Sequence, residues 1–182
     1  MEGNTKEIFA DTIKTLIKAK PLDKITVKDI TQTCGLSRQT FYRHFLDKYD
    51  LVNWYFERLV MASFEEMGIS KTLKEALILK FTFIQKEHYF FKEAFKSNDY
   101  NSLKSFDFSC IYDFYQSILT KHGTRLNAEQ TFLLKMYCRG SVDMTIEWIL
   151  EDMPLPIDEI TNLLIQATPQ PIEVLFQFHN FM

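Results

Sequence analysis

Residues 26–51 read TVKDITQTCGLSRQTFYRHFLDKYDL. The chain as a whole carries a net charge of -3, yet this stretch gathers Arg38, Gln39, Tyr42 and Arg43 one turn after a glycine and directly before a lysine-bearing helix start. Spacing explains why. Thr26 reads as a helix N-cap with Asp29 at the third helical position, a pairing in which side chain and backbone satisfy one another. Val27, Ile30 and Cys34, at i, i+3 and i+7, give the short helix a single buried face. Gly35 ends it, because a sharp turn needs a positive φ that glycine adopts at little steric cost. Ser37 then caps the next helix. Two helices joined by a tight glycine turn make a helix-turn-helix.

On the second of these helices Phe41 and Phe45 are four apart and face inward, while Arg38, Gln39, Tyr42 and Arg43 follow the i, i+1, i+4, i+5 pattern of the opposite face. Donors and an aromatic hydroxyl at the start of a second helix are what a recognition helix needs to reach base edges and phosphates in a major groove. Asp47 is expected to cap the following helix, with Asp50 at its third position and Lys48 in its first turn. A lysine there opposes the helix dipole, which fits a phosphate contact beside the free backbone amides.

Outward from this stretch, helical periodicity continues in both directions. Ile8, Phe9, Ile13, Leu16 and Ile17 form the apolar face of a first helix that stops before Pro21. After the motif, LVNWYFERLVMASFEEM runs as a fourth helix to Gly68, expected to be the joint between two parts. Thr72 with Glu75 forms a capping box for a helix ending near Glu87. HYFFKEAF and SLKSFDFSCIYDFYQSILTKHG supply two further helices, and Gly123 closes the second. Asn127 and Gln130 open a long helix through Trp148 and Met153, and MPLPIDEITNLLIQATP gives a last helix between prolines.

Composition agrees with this pattern. The chain has 182 residues, 46% hydrophobic and 15% aromatic, which is ample for a packed core. Five glycines, five prolines and few alternating runs leave little material for sheets. The expected fold is all-α, with a three-helix DNA-binding head over residues 1–60 and a helical bundle over residues 61–182. Residues 1–60 hold ten Lys or Arg against eight Asp or Glu, and residues 61–182 hold eleven against sixteen. The parts are therefore +2 and -5, so the polyanion-binding surface belongs to the first.

Other classes are disfavoured. The N-terminus lacks a basic region followed by an apolar run, and no segment approaches the roughly 20 uninterrupted apolar residues of a membrane span, so the expected location is the cytoplasm with no membrane partner. Cys34, Cys110 and Cys138 are too few and too scattered for a disulfide framework or a metal knot. His88, His122 and His179 lack metal-binding spacing. No phosphate-cradling glycine loop, nucleophile elbow or His/carboxylate pair suggests an enzyme, and no cofactor or catalytic residue is expected. Seventeen phenylalanines crowd the chain, with Phe81, Phe83, Phe90, Phe91, Phe95, Phe106, Phe108 and Phe114 in the middle. They are read mostly as core, with an apolar pocket left open.

GLSRQTFYRHFLDKYDL resembles the end of the helix-turn-helix in TetR-type transcription regulators, with Thr40, Phe41, Tyr42, His44, Phe45 and Lys48 in the family's characteristic places. The resemblance covers roughly residues 5–60, and it implies that residues 61–182 are an effector-binding and dimerisation domain. It implies that Tyr42, His44 and Lys48 contact phosphates, that Arg38 and Gln39 face bases, and that Thr26 caps its helix and touches the DNA backbone. With Ser37, Thr40 and Arg43 these make the expected DNA-binding set. For His44 a core histidine is the competing reading, and its place between Tyr42 and Phe45 leaves both open. YCRGSVDMTIEWILEDMPLPIDEITNLL is similar to a branch of the family related to regulators of dihydroxyacetone kinase operons. That likeness implies a kinase-like partner protein as the effector, the other option being a small apolar or aromatic ligand among the Phe-rich helices. One helix-turn-helix reads too few bases, so a homodimer on an inverted-repeat operator in double-stranded DNA is expected. Leu133, Tyr137 and Trp148 on the long helix, with Ile160, Leu163, Leu164 and Ala167 on the last, offer apolar surface for it. The alternative is a helical interaction adaptor that retains the motif without specific DNA binding.

Overall fold

The computed structural model describes residues 2–65, 67, 69, 71–99 and 101–182; the joint expected at Gly68 lies outside them. The elements are α1 (Glu2–Ile17), a 3-10 turn (Leu22–Lys24), α2 (Val27–Cys34), α3 (Arg38–Tyr42), α4 (Lys48–Phe64), α5 (Leu73–Lys86), α6 (His88–Lys96), α7 (Leu103–Lys121), α8 (Ala128–Leu150), α9 (Ile157–Gln166) and α10 (Gln170–Phe178). The fold is all-α, as the periodicity predicts.

These elements divide into two compact units, Met1–Arg58 with Glu87–Phe106 and Leu59–Lys86 with Asp107–Met182. The first unit thus contains α6 in addition to the head expected over residues 1–60. Its centre is built on α1, where Phe9, Ile13 and Ile17, spaced four apart, are fully buried. Phe9 meets Phe41 edge-on at 5.1 Å between ring centroids and Phe45 at 6.3 Å, the geometry that aromatic quadrupoles favour. On the α6 side, Tyr55 packs edge-on against Phe90 at 5.4 Å and Phe56 against Phe91 at 5.9 Å. Lys14 joins these layers, donating to the Tyr55 hydroxyl at 3.2 Å and to Glu87 at 3.3 Å.

In the second unit the reciprocal boxes at Thr72–Glu75 and Asn127–Gln130 are both formed and start α5 and α8 where expected. Tyr115 of α7 stacks on Phe176 at 5.4 Å, and Phe81 of α5 meets Trp148 of α8 at 5.4 Å. Two expectations need correction. The long helix α8 stops at Leu150 instead of running through Met153, because Asp152 and Met153 are left-handed (φ 62° and 59°) and the Met153 N–H folds back onto the Trp148 carbonyl at 2.8 Å. The chain also makes a helix, α10, beyond the one expected to be last. Pro171 does not stop it, since it occupies the second helical position, where an amide has no intrahelical partner to lose. Ile172 and Phe176, four apart, bury its inner face.

The phenylalanine run is divided between the units. Phe90, Phe91 and Phe95 are buried in the first and Phe81 in the second, while Phe83, Phe106, Phe108 and Phe114 are only half-buried. Half of these eight rings are core.

Candidate nucleic-acid interface

The helix-turn-helix is held by contacts a few residues apart. Thr26 Oγ1 accepts from the Asp29 N–H at 3.1 Å, and Asp29 Oδ2 accepts in return from the Thr26 N–H at 2.8 Å. Lys20 donates to the same carboxylate oxygen at 2.8 Å. That ammonium, then the Thr26 hydroxyl and amide, hold the Asp29 carboxyl well below the usual range. Gly35 takes φ 73° and its N–H closes α2 on the Thr31 carbonyl. Ser37 Oγ accepts from the Thr40 N–H at 3.0 Å and pairs with the Thr40 hydroxyl at 2.8 Å. Thr26, Ser37 and Thr40 therefore spend their side chains on shaping the motif.

The reading face follows from that shape. Phe41 is 0% exposed, whereas Tyr42 is 50% exposed with its ring edge-on to Phe41 at 5.6 Å. Arg38, Gln39 and Arg43 are exposed, and Lys24 and Lys28 add exposed cations in the same unit. His44 is half-buried beside Phe45, with ring centroids 6.4 Å apart. It sits at the margin between core and surface.

Lys48 has partners that its sequence position does not announce. Its ammonium donates to the carbonyls of Leu22 at 2.8 Å, Asp23 at 2.9 Å and Ile25 at 2.8 Å. An ammonium has three N–H donors, so none is spare for a phosphate in this arrangement. The amides at the start of α4 are likewise occupied. Asp47 Oδ1 accepts from the Tyr49 and Asp50 N–H groups, each at 2.8 Å, and Asp50 Oδ2 accepts from the Leu46 N–H at 2.8 Å. The caps are those expected, but the amides expected to be free beside Lys48 are filled by carboxylates.

Around this clamp lies a second ring of contacts absent from the sequence reading. The Asp23 carboxylate accepts from the Ser97 hydroxyl at 2.6 Å and the Tyr49 hydroxyl at 3.0 Å, and the Ser97 bond foremost lowers its pKa. Burial pushes the Tyr49 phenol up to about 12. The turn before α2, the start of α4 and the end of α6 are thereby tied together within the first unit. These bonds link residues 26 and 74 positions apart, so no local pattern could have revealed them.

Residues 10–53 match the bacterial regulatory proteins of the tetR family, and residues 71–170 match a transcriptional regulator C-terminal region of the same family. The chain belongs to the TetR family. It is accordingly a transcriptional regulator by family, not an enzyme. Among curated proteins it is similar to the HTH-type dhaKLM operon transcriptional activator DhaS of Lactococcus lactis subsp. lactis, at 28% identity over 91 residues. That match spans 50% of this chain and 49% of the relative, so the chain spans about half the length of the curated relative it matches. Among solved structures, a dihydroxyacetone kinase operon activator DhaS superposes with a TM-score of 0.65 over 93% of this chain and 97% of its own, at 18% identity. At that identity the likeness is one of fold. Among the described residues no group of His, Cys, Asp or Glu is placed to hold a metal ion, and no helix is long and apolar enough to cross a membrane.

Proposed function

We propose that this TetR-family chain binds an inverted-repeat operator as a homodimer in the cytoplasm. Arg38 and Gln39 would read base edges, with Tyr42 and Arg43 on the flanking phosphates. The observation that carries the reading is the two-faced α3: Phe41 fully buried beneath, and Arg38, Gln39, Tyr42 and Arg43 exposed above, on a helix start fixed by the Ser37 cap. Thr26, Ser37 and Thr40 act by shaping the motif, and His44 contributes at its margin. Lys48 supports the motif from behind.

Gln39→Ala tests the division between reading and positioning. Gln39 suits adenine N6 and N7, a contact worth about 1 to 3 kcal/mol of discrimination. Binding to operator should weaken roughly tenfold, while binding to a scrambled duplex across a salt series stays unchanged. Equal losses on both DNAs would remove Gln39 from the reading face. An interaction adaptor that merely retains the motif would bind neither duplex in a salt-dependent way.

For the dimer, Tyr137, Trp148, Ile160 and Leu164 are buried within the protomer, so they serve its core. Leu163 and Met144 are 49% and 53% exposed beside the groove formed by Trp148, Leu155, Ile160 and Ala167. A second copy of the chain is the occupant that a two-fold regulator requires, with Leu163 at the seam. Leu163→Glu should turn a dimer into a monomer by light scattering at micromolar concentration, with the helical circular dichroism retained. A wild-type chain that is monomeric there defeats the dimer.

Control is assigned to the second unit. The likeness to dihydroxyacetone kinase operon activators supports either a small metabolite or a kinase-like protein as the effector. Each would act by shifting the population of DNA-competent dimers, and only to the extent of its differential affinity for the two forms.

A further inference from the structure

A cavity of about 480 Å³ opens in the first unit between two walls. One wall is residues 18–23, the end of α1 and the turn before α2; the other is a face of α6 and its cap, where Tyr89, Glu93, Lys96 and Ser97 recur at i, i+4, i+7 and i+8. All of these residues belong to that unit. Small-molecule sites span roughly 300 to 1,000 Å³, and this cavity falls inside that range. A water occupies about 30 Å³ of liquid, so neither one water nor an inorganic ion matches its dimensions.

Three ammonium groups and two carboxylates line it, and both carboxylates are already served. Asp23 accepts from the Ser97 hydroxyl at 2.6 Å and the Tyr49 hydroxyl at 3.0 Å. Glu93, its side chain only 13% exposed, accepts from Lys96 at 2.6 Å. Asp107 in α7 of the second unit is the opposite case, 0% exposed with neither oxygen hydrogen-bonded. The donors around the cavity, by contrast, are in surplus. An ammonium has three N–H groups; Lys20 gives one to Asp29 at 2.8 Å, Lys96 gives one to Glu93, and Lys18 is exposed. A cation, or the ammonium end of a zwitterion, would have to compete with Ser97, Tyr49 and Lys96 for the carboxylates. An anion meets N–H groups that are free. The rest of the lining is apolar: Ala19, Pro21, Leu22 and the ring of Tyr89, which is 51% exposed and so has a face to offer a flat guest.

We propose that this cavity is a binding site, within the DNA-binding unit, for a small organic anion with a flat apolar body, an aryl carboxylate or aryl phosphate. Its charged group is met by Lys18, Lys20 and Lys96, and its body lies against Tyr89 and Pro21. The site is separate from control through the second unit and does not depend on it. It also touches the turn that carries α2. Leu22 and Asp23 are residues whose carbonyls Lys48 holds, at 2.8 and 2.9 Å, and the bond between Asp23 and Ser97 joins the two walls. Occupancy therefore bears on the placement of the helix-turn-helix and on operator affinity, a consequence that rests on the operator reading although the binding itself does not.

Titration calorimetry on the full chain tests the site, with benzoate and phenyl phosphate as probes of the two anionic groups. Inorganic phosphate, benzylamine and phenylalanine serve as the bare anion, the cation and the zwitterion. Saturable binding of an aryl anion is expected at concentrations up to about 10 mM, weakened at least about tenfold when Lys18→Gln and Lys96→Gln are combined. Both lysines are exposed, so the double variant keeps its fold, which circular dichroism checks. No saturation by either aryl anion, equal affinity for benzylamine or phenylalanine, inorganic phosphate binding as tightly as phenyl phosphate, or unchanged affinity in the double variant each overturns the proposal. Operator affinity is then measured with and without the tighter probe. An operator affinity indifferent to bound probe removes the coupling, whereas a chain that binds probe and no operator defeats the operator reading and leaves the site standing.

Discussion

Lys48→Met is expected to lower the stability of the first unit by about 3 kcal/mol and to weaken operator binding more than binding to random DNA, with no change in the salt slope. The ammonium serves three carbonyls of the turn that leads into α2, at 2.8, 2.9 and 2.8 Å. Hydrogen bonds to charged groups contribute roughly 1.5 to 3 kcal/mol each, and partial exposure of the site discounts their sum. Burial lowers the pKa of this lysine, while the carboxylates of Asp23, Asp99 and Asp47 oppose that trend. Methionine keeps the length and removes the burial cost of the charge, so what it reports is the loss of the carbonyl bonds. Those bonds pin the segment from which Thr26 starts α2, and a displaced α2 carries α3 with it. Shape-dependent contacts to the operator suffer first.

A phosphate contact by Lys48 predicts something else. Removing one such contact should lower the salt slope by about one unit and weaken both DNAs alike. Urea unfolding of the variant, together with salt titrations on operator and scrambled duplex, separates the two. An unaltered unfolding midpoint with a smaller slope would mean that the ammonium leaves its carbonyls when DNA arrives. Lys48→Arg is the companion variant, since it keeps the charge but cannot place three donors around the same point.

The contrast between Lys48 and its neighbours marks what the sequence could convey. Thr26, Asp29, Gly35, Ser37, Asp47 and Asp50 were legible because each makes its decisive contact within four residues, so spacing alone encodes it. The amphipathic pattern was equally plain for Phe9, Phe41 and Phe45, all buried as expected. The partners of Lys48 were hidden because a helix-start lysine looks unpaired until the chain some 25 residues earlier is brought beside it. The end of α8 was missed because two non-glycine residues, Asp152 and Met153, take left-handed conformations that composition does not advertise. α10 was hidden by prolines read as stops, although Ile172 and Phe176 repeat with the helical period. Asp107 drew no attention, but the signal was there: Leu103, Asp107, Cys110 and Ile111 fall at i, i+4, i+7 and i+8, which puts an acid on an apolar stripe.

That acid leads to the other large effect, a pH dependence of stability carried by one residue. Burial raises the Asp107 carboxyl from its ordinary 3.8 to about 6, against the pull of Lys80. A raised acid works in the opposite sense to a salt-bridged one. Below about pH 3.8 the group is protonated in both folded and unfolded chains and contributes nothing. Between about 3.8 and 6 the unfolded chain has released its proton while the folded chain retains it, so stability falls as pH rises, and it levels off above the folded value. A shift of roughly two units corresponds to about 3 kcal/mol. Asp107→Asn abolishes this titration. Its stability relative to wild type should therefore rise by about 3 kcal/mol between pH 4 and pH 7, measured by urea unfolding at several pH values. Comparing pH dependences removes the fixed offset of leaving Lys80 without its partner, as well as titrations common to both chains, such as that of His179, whose pKa burial lowers. Parallel curves for the two proteins would show that Asp107 ionises in the folded chain as easily as in water, and that its two oxygens are hydrated instead of dry.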